Sequence, residues 1–139
     1  MAWYVCTLSA TGDHNWEICK EISHWGIITE GHKNTKHEIS KGDSVLFYRA
    51  SRGFIAHGKF TGPARTPLDK SEAPWAGGVI KFGLIVPFKL TYELVNPQKL
   101  RMVNQVFSGT KVGSFTLRRG FAPISDEDGE FILEKINGK

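Results

Sequence analysis

The chain has 139 residues, of which 40% are hydrophobic and 23% charged, and a formal net charge of +4. That is enough for one domain with a real core and too little for two, so residues 1–139 are read as a single domain, and no apolar run is long enough to span a membrane. The charge is a mild bias toward a polyanion. The N-terminus lacks the basic head and cleavage site of a secretory signal. Cys6 and Cys19 form no C-x-x-C pair, so a reduced cytoplasmic chain with two buried thiols is expected in preference to a disulfide.

In chain order, residues 2–8 are aromatic and β-branched and read as a first strand. Ser9 to His14 is a polar loop. Asn15 to Trp25 reads as a helix: Ile18, Ile22 and Trp25 fall on one helical face, Asn15 or Asp13 can cap it, and Gly26 can carry the chain out of it. Gly26 to Lys41 is mostly loop, and Lys41-Gly42-Asp43 is a turn. Ser44 to Ala50 reads as a strand, with Val45 and Phe47 on one face and Leu46 and Tyr48 on the other. Ser51-Arg52-Gly53 turns into a further strand, Phe54 to Thr61. Gly62 to Gly78 is rich in proline and glycine, which exclude regular structure.

Two strands are expected next, Val79 to about Pro87 and Phe88 to about Val95. Pro97 is placed to open a short helix running to about Val106. Ser125 can cap a last helix that buries Phe131, Ile132 and Ile136, with Asp128 reaching back as in a capping box. The order β-α-β-β-β-β-α-α, with long loops, describes an α+β domain around a curved or barrel-like sheet.

No phosphate-binding glycine loop, Gly-x-Ser-x-Gly elbow or His-Glu-x-x-His helix is present. The five histidines stand at no metal-binding spacing. The chain is therefore expected to be a binding module rather than an enzyme, with no metal and no cofactor. What stands out is four tryptophans in a small domain. Trp3 reads as strand packing. Trp16, at the helix start, reads at least as well as packing as it does as a ligand contact.

Trp25 at the helix end is either a core plug or a pocket wall. Trp75 sits in a loop behind Pro74, where no helix or strand face asks for an indole, and reads equally as the wall of a stacking pocket and as a side chain covering one end of the barrel. Two indoles across a slot hold a planar ligand such as a nucleobase, each stacking contact being worth roughly 1–3 kcal/mol. A base in a duplex must first be flipped out. Ser9, Asn15, the Gly26 backbone, His32 and Asn34 are candidates to read its edge. Lys33, Lys36, Arg49, Arg52, Lys111, Arg118 and Arg119 are candidates for phosphates, with Arg118-Arg119-Gly120 the best.

Several pieces in this order resemble the EVE domain, a PUA-like family related to the YTH readers of methylated RNA. They are Trp3-Tyr4-Val5-Cys6, Asn15-Trp16, Trp25-Gly26, His32-Lys33-Asn34, Lys41-Gly42-Asp43 with Val45 to Tyr48, and Ile55-Ala56-His57-Gly58. Trp75 with Val79-Ile80-Lys81-Phe82, then Arg119-Gly120-Phe121 and Ile124-Ser125, complete the series. The resemblance implies a bent β-barrel of about five to six strands flanked by about three helices, with an aromatic cage for a modified base in DNA or RNA.

Trp25 would correspond to the YTH cage tryptophan after the first helix. Trp75 would correspond to the one before a Gly-Gly-hydrophobic strand, here Gly77-Gly78-Val79. Trp16 and Tyr48 join the pocket candidates. The pattern supplies no counterpart for the third cage residue or for the base-reading asparagine, so the base stays open. In prokaryotes such domains often form the recognition part of modification-dependent restriction systems, joined to a nuclease or a motor; others stand alone. The alternative reading is a binder or enzyme acting on a free nucleoside or another planar compound in the same pocket.

Overall fold

The computed structural model describes residues 2–11, 13–29 and 38–137. Its elements in chain order are β1 (Trp3–Leu8), α1 (Asp13–Ile22), β2 (His24–Ile27), β3 (Ser44–Arg49), β4 (Gly53–Phe60), α2 (Gly78–Lys81), β5 (Leu84–Gln98), β6 (Met102–Val103), β7 (Val106–Phe107), α3 (Ser114–Leu117), β8 (Phe121–Ile124) and α4 (Asp126–Ile136). Six strands form one sheet in the order β2-β5-β4-β3-β1-β8, while β6 and β7 make a separate hairpin. β1 is parallel to β3 and antiparallel to β8, so the first strand is interior. Register shifts in the β3–β4 and β4–β5 pairs bend the sheet. β5 pairs with β4 at one end and β2 at the other, which curls the sheet into a half-barrel. The expected α+β, PUA-like architecture is the one observed.

Strand alternation divides the core in two. Tyr4, Cys6, Val45 and Phe47 point to one face, where α1 contributes Trp16 and Cys19 and the loop after β4 contributes Trp75. Trp3, Val5, Leu46 and Tyr48 point to the other, covered by Ile132 and Ile136 of α4 and by Leu117 of α3. The faces expected for β3 are those found.

The helix expected to end on Trp25 stops at Ile22. Ser23, not Gly26, takes the left-handed conformation at its exit, with φ 57°. The backbone then joins the sheet: Phe88 N–H donates to the Ser23 carbonyl at 3.0 Å, and Trp25 pairs with Val86. Trp25 is thus a strand residue. The buried helix face is Trp16 and Cys19, while Ile18 and Ile22 are half-buried.

The strand expected from Val79 begins only at Leu84, because Gly78–Lys81 closes into a helical turn, Phe82 N–H donating to the Gly78 carbonyl at 2.9 Å. A short 3-10 turn, Lys70–Glu72, lies in the loop expected to be irregular. The two strands expected on either side of residue 88 are one strand of 15 residues. Pro97 lies within the last residues of that strand, which runs to Gln98, instead of opening a helix. The β6–β7 hairpin follows, its tight turn carried by Asn104 and Gln105 at φ 55° and 65°. Ser125 caps α4 as expected, its hydroxyl accepting from Asp128 N–H at 3.1 Å. The Asp128 carboxylate, however, accepts from Lys111 N–H at 3.0 Å. α4 buries Ile132 and Ile136, with Phe131 half-buried.

Candidate nucleic-acid interface

A cavity of about 190 Å³ opens where the ends of β1 and β2, the start of α1 and the Trp75 loop meet. Six of the residues singled out in the sequence line it: Ser9, Asn15, Trp25, Gly26, Trp75 and Arg119. The two indoles therefore share one cavity. Both are more than nine-tenths buried, at 7% and 4% exposure, since each gives most of its surface to the core. Trp25 packs on Phe47 at 5.7 Å between ring centroids, and Trp75 on Phe82 at 5.1 Å.

Gly26 is required by this packing. A Cβ there would stand 2.8 Å from Trp75 Cζ3 and 2.8 Å from Phe82 Cδ1, so the Trp75 ring can lie against the β2 backbone only if residue 26 has no side chain. The loop bearing Trp75 is fastened further back. Arg65 forks onto the Glu72 carboxylate at 2.9 and 2.7 Å, Leu68 N–H adds a bond at 2.7 Å, and Arg65 bridges to Ile85 by paired backbone bonds of 2.8 Å. The guanidinium and the Leu68 N–H hold the Glu72 carboxyl down to about 2.

Cys19 faces the same cavity. Burial pushes its thiol up to about 12, although the neighbouring Trp75 indole N–H acts in the opposite sense and favours the thiolate. That N–H is buried beside the Cys19 sulfur but makes no hydrogen bond of full geometry with any described residue.

Other expected site residues lie elsewhere. Trp16 is structural: it packs on Phe47 and Phe88, its Nε1–H donates to Glu93 at 2.8 Å, and Lys20 sits 5.6 Å above the ring. Tyr48 is not at the cavity, because alternation along β3 turns it to the opposite face, against Phe54 and Phe107. Arg49 Nε and Nη2 both donate to the Ala10 carbonyl at 3.3 Å, so it ties down the loop that carries Ser9. Arg52 and Arg118 are exposed and outside the cavity wall. His32, Lys33 and Asn34 lie outside the described residues.

Sequence reasoning missed Thr7, Cys19, Lys81, Phe82 and Phe121 as lining residues. Cys19 had a usable signal, since it is one helical turn from Asn15 and shares its face. Lys81 and Phe82 carried none, because the strand expected there is a turn. Lys81 Nζ stands 5.4 Å above the Phe82 ring, so with Arg119 two cations border a cavity whose wall includes the rings of Trp25, Trp75, Phe82 and Phe121. Among the described residues no cluster of His, Cys, Asp or Glu could hold a metal, and no helix is long and apolar enough to cross a membrane.

A curled, mostly antiparallel sheet with helices packed on both faces is the architecture of PUA-like domains. The chain belongs to the EVE domain family, whose model matches residues 4–135. Comparison with curated proteins gives no significant match.

Among solved structures, the chain is similar to a hypothetical protein from Leishmania major, with 17% identity over 99% of this chain and 95% of that one and a TM-score of 0.66. It is also similar to the YTH domain-containing protein mmi1, solved in a complex with RNA, at 13% identity over 98% of this chain and 81% of that one, TM-score 0.60. The YTH domain of Zygosaccharomyces rouxii MRB1, solved with N6-methyladenosine RNA, matches at 13% identity over 96% and 85%, TM-score 0.53. At these identities the likeness is one of fold.

Proposed function

We propose that this domain is a non-enzymatic reader of a modified base in DNA or RNA, taking the flipped base into the cavity between Trp25 and Trp75. The observation that carries the reading is the convergence of the two indoles on one open cavity with donors around it and cations at its border. Stacking supplies affinity without distinguishing bases. Discrimination falls to Ser9, Asn15 and the backbone at Gly26. The Trp75 N–H adds a buried donor that makes no hydrogen bond of full geometry with any described residue, and leaving such a donor unpaired costs roughly 1–3 kcal/mol, which a ligand acceptor would offset.

Lys81 and Arg119 border the cavity and can meet the backbone phosphates beside the flipped nucleotide. That the YTH neighbours were solved with RNA, one of them with N6-methyladenosine RNA, supports the same reading. In a longer protein or a complex, the domain would supply recognition to a nuclease or motor of a modification-dependent restriction system.

The test is fluorescence anisotropy with matched oligonucleotides carrying N6-methyladenine, 5-methylcytosine, 5-hydroxymethylcytosine, its glucosylated form or no modification. Preference for one modified form is expected, and equal affinity for all would refute the proposal. Affinity for the oligonucleotide should also fall with salt far more steeply than affinity for the free nucleoside, because only the former releases counterions.

A further inference from the structure

The turn that carries the lining residue Lys81 also carries apolar surface that the pocket does not use. Ile80 is 77% exposed and Val79 42% exposed, and both sit on α2 between the lining residues Trp75 and Lys81. A free isoleucine at a turn is ordinary by itself, but this turn is held at both ends. Gly78 N–H donates to the Trp75 carbonyl at 3.0 Å, Thr29 N–H donates to the Lys81 carbonyl at 2.9 Å, and Gly83 N–H donates to Thr29 Oγ1 at 2.9 Å. The turn is thereby bound to one cavity wall and to the chain leaving β2. Ile80 is presented to solvent from a fastened base, one residue from a cation at the cavity.

We propose that Ile80, with Val79 beside it, is a wedge that enters the base stack of the nucleic acid and fills the place vacated by the base held in the cavity. The inference rests on the proposed function and adds a second contact to it. Taking one base out of a stack leaves its neighbours unpaired with any apolar face. Proteins that unstack nucleic acid insert isoleucine, leucine, phenylalanine or methionine between base steps, and the gap left by an extruded base offers the same apolar faces. The adjacent Lys81 ammonium would meet the backbone while Ile80 meets the bases, a division between positioning and stacking contacts. An extended, charged backbone drawn toward Lys81 and Arg119 would bring the bases flanking the flipped one over α2.

The test compares wild type with Ile80→Ser and, as a control, Val95→Ser. Val95 is 97% exposed but lies on β5, about 30 Å along the strand from the partner of Trp25. The probes are short DNA and RNA duplexes with a single N6-methyladenine, 5-methylcytosine, 5-hydroxymethylcytosine or glucosylated 5-hydroxymethylcytosine, the same single strands, and the free nucleosides. Ile80→Ser should weaken duplex binding about tenfold, single-strand binding less, and nucleoside binding not at all, because only stacked bases leave a gap. Val95→Ser should match wild type throughout.

Unchanged duplex affinity in Ile80→Ser, an equal loss for the free nucleoside, or an equal loss in Val95→Ser would each overturn the wedge. If the wild type binds a nucleoside while Ile80→Ser keeps duplex affinity, the wedge alone falls. If the wild type binds none of the probes, the wedge falls together with the proposed function.

Discussion

Trp75 and Trp3 are each pressed against a glycine, one in each half of the core. Trp75 lies on Gly26 of β2, and Trp3 lies on Gly129 of α4, where an added Cβ would collide with the indole. Around Trp75 the packing leaves a cavity. Around Trp3 it closes, with His57 stacked on the indole at 5.6 Å and 21° and Tyr92 in turn 6.1 Å from the His57 ring. Both places hold polar atoms without hydrogen-bond partners among the described residues: the Trp75 N–H in the first, both His57 ring nitrogens and the Tyr92 hydroxyl in the second. At the cavity a ligand can supply the missing partner. In the second, more closed half the His57 ring lies away from that cavity, and the cost appears as a displaced titration: burial, with Lys59 adding to it, lowers His57 to about 4.

The contrast can be broken most severely by removing an indole. Trp75→Ala and Trp3→Ala should each cost about 3–5 kcal/mol in denaturant unfolding. For that reason a binding defect in either variant is informative only if circular dichroism shows it still folded.

Next in size is a pH effect confined to the more closed half. Folded His57 stays neutral down to about pH 4, whereas the unfolded chain binds that proton near 6.5. The contribution is complete above the unfolded value and is lost as pH falls through this window, by up to about 3 kcal/mol. Thermal melts of His57→Phe should show a smaller drop between pH 6.5 and 4 than wild type.

The two glycines make a matched pair. Gly26→Ala and Gly129→Ala should each destabilise by about 1–3 kcal/mol through overpacking. Only Gly26→Ala should also abolish binding of a modified oligonucleotide, since it moves Trp75. Equal binding by the two variants would break the comparison. The smallest effect is chemical. Cys6 and Cys19 are both buried, and burial raises both thiols, Cys19 to about 12. Iodoacetamide at pH 8 should label neither until the protein is unfolded.

How much of this could be read from the chain follows from where each signal lies. The division of β3 into Val45/Phe47 and Leu46/Tyr48 is a period-two pattern and survives folding intact. The Ser125 cap is local chemistry and is equally legible. Trp25 was misread because a strand of four residues has no period of its own. Its place is set by the distant β5, and its isoleucine spacing happened to suit a helix.

The run from Val79 to Phe82 has strand composition, yet it is bent into a turn by bonds to Trp75 and Thr29, which no local pattern records. Pairing the two indoles rests on Trp25 at an expected helix end and Trp75 in a loop with no face to pack, and the ordered resemblance adds to it; spacing does not. The lining by Lys81 and the role of Gly26 as a seat for an indole needed coordinates.

The interior position of β1 also governs how the chain can be made. Its neighbour β8 lies more than a hundred residues further along the chain, so the sheet cannot be completed until almost all of the domain has been synthesised. Closing so long a loop is slow. During synthesis on the ribosome the exposed edge of β1 would wait for its last partner, and production should therefore depend on chaperone supply and growth temperature more than the domain's modest size suggests.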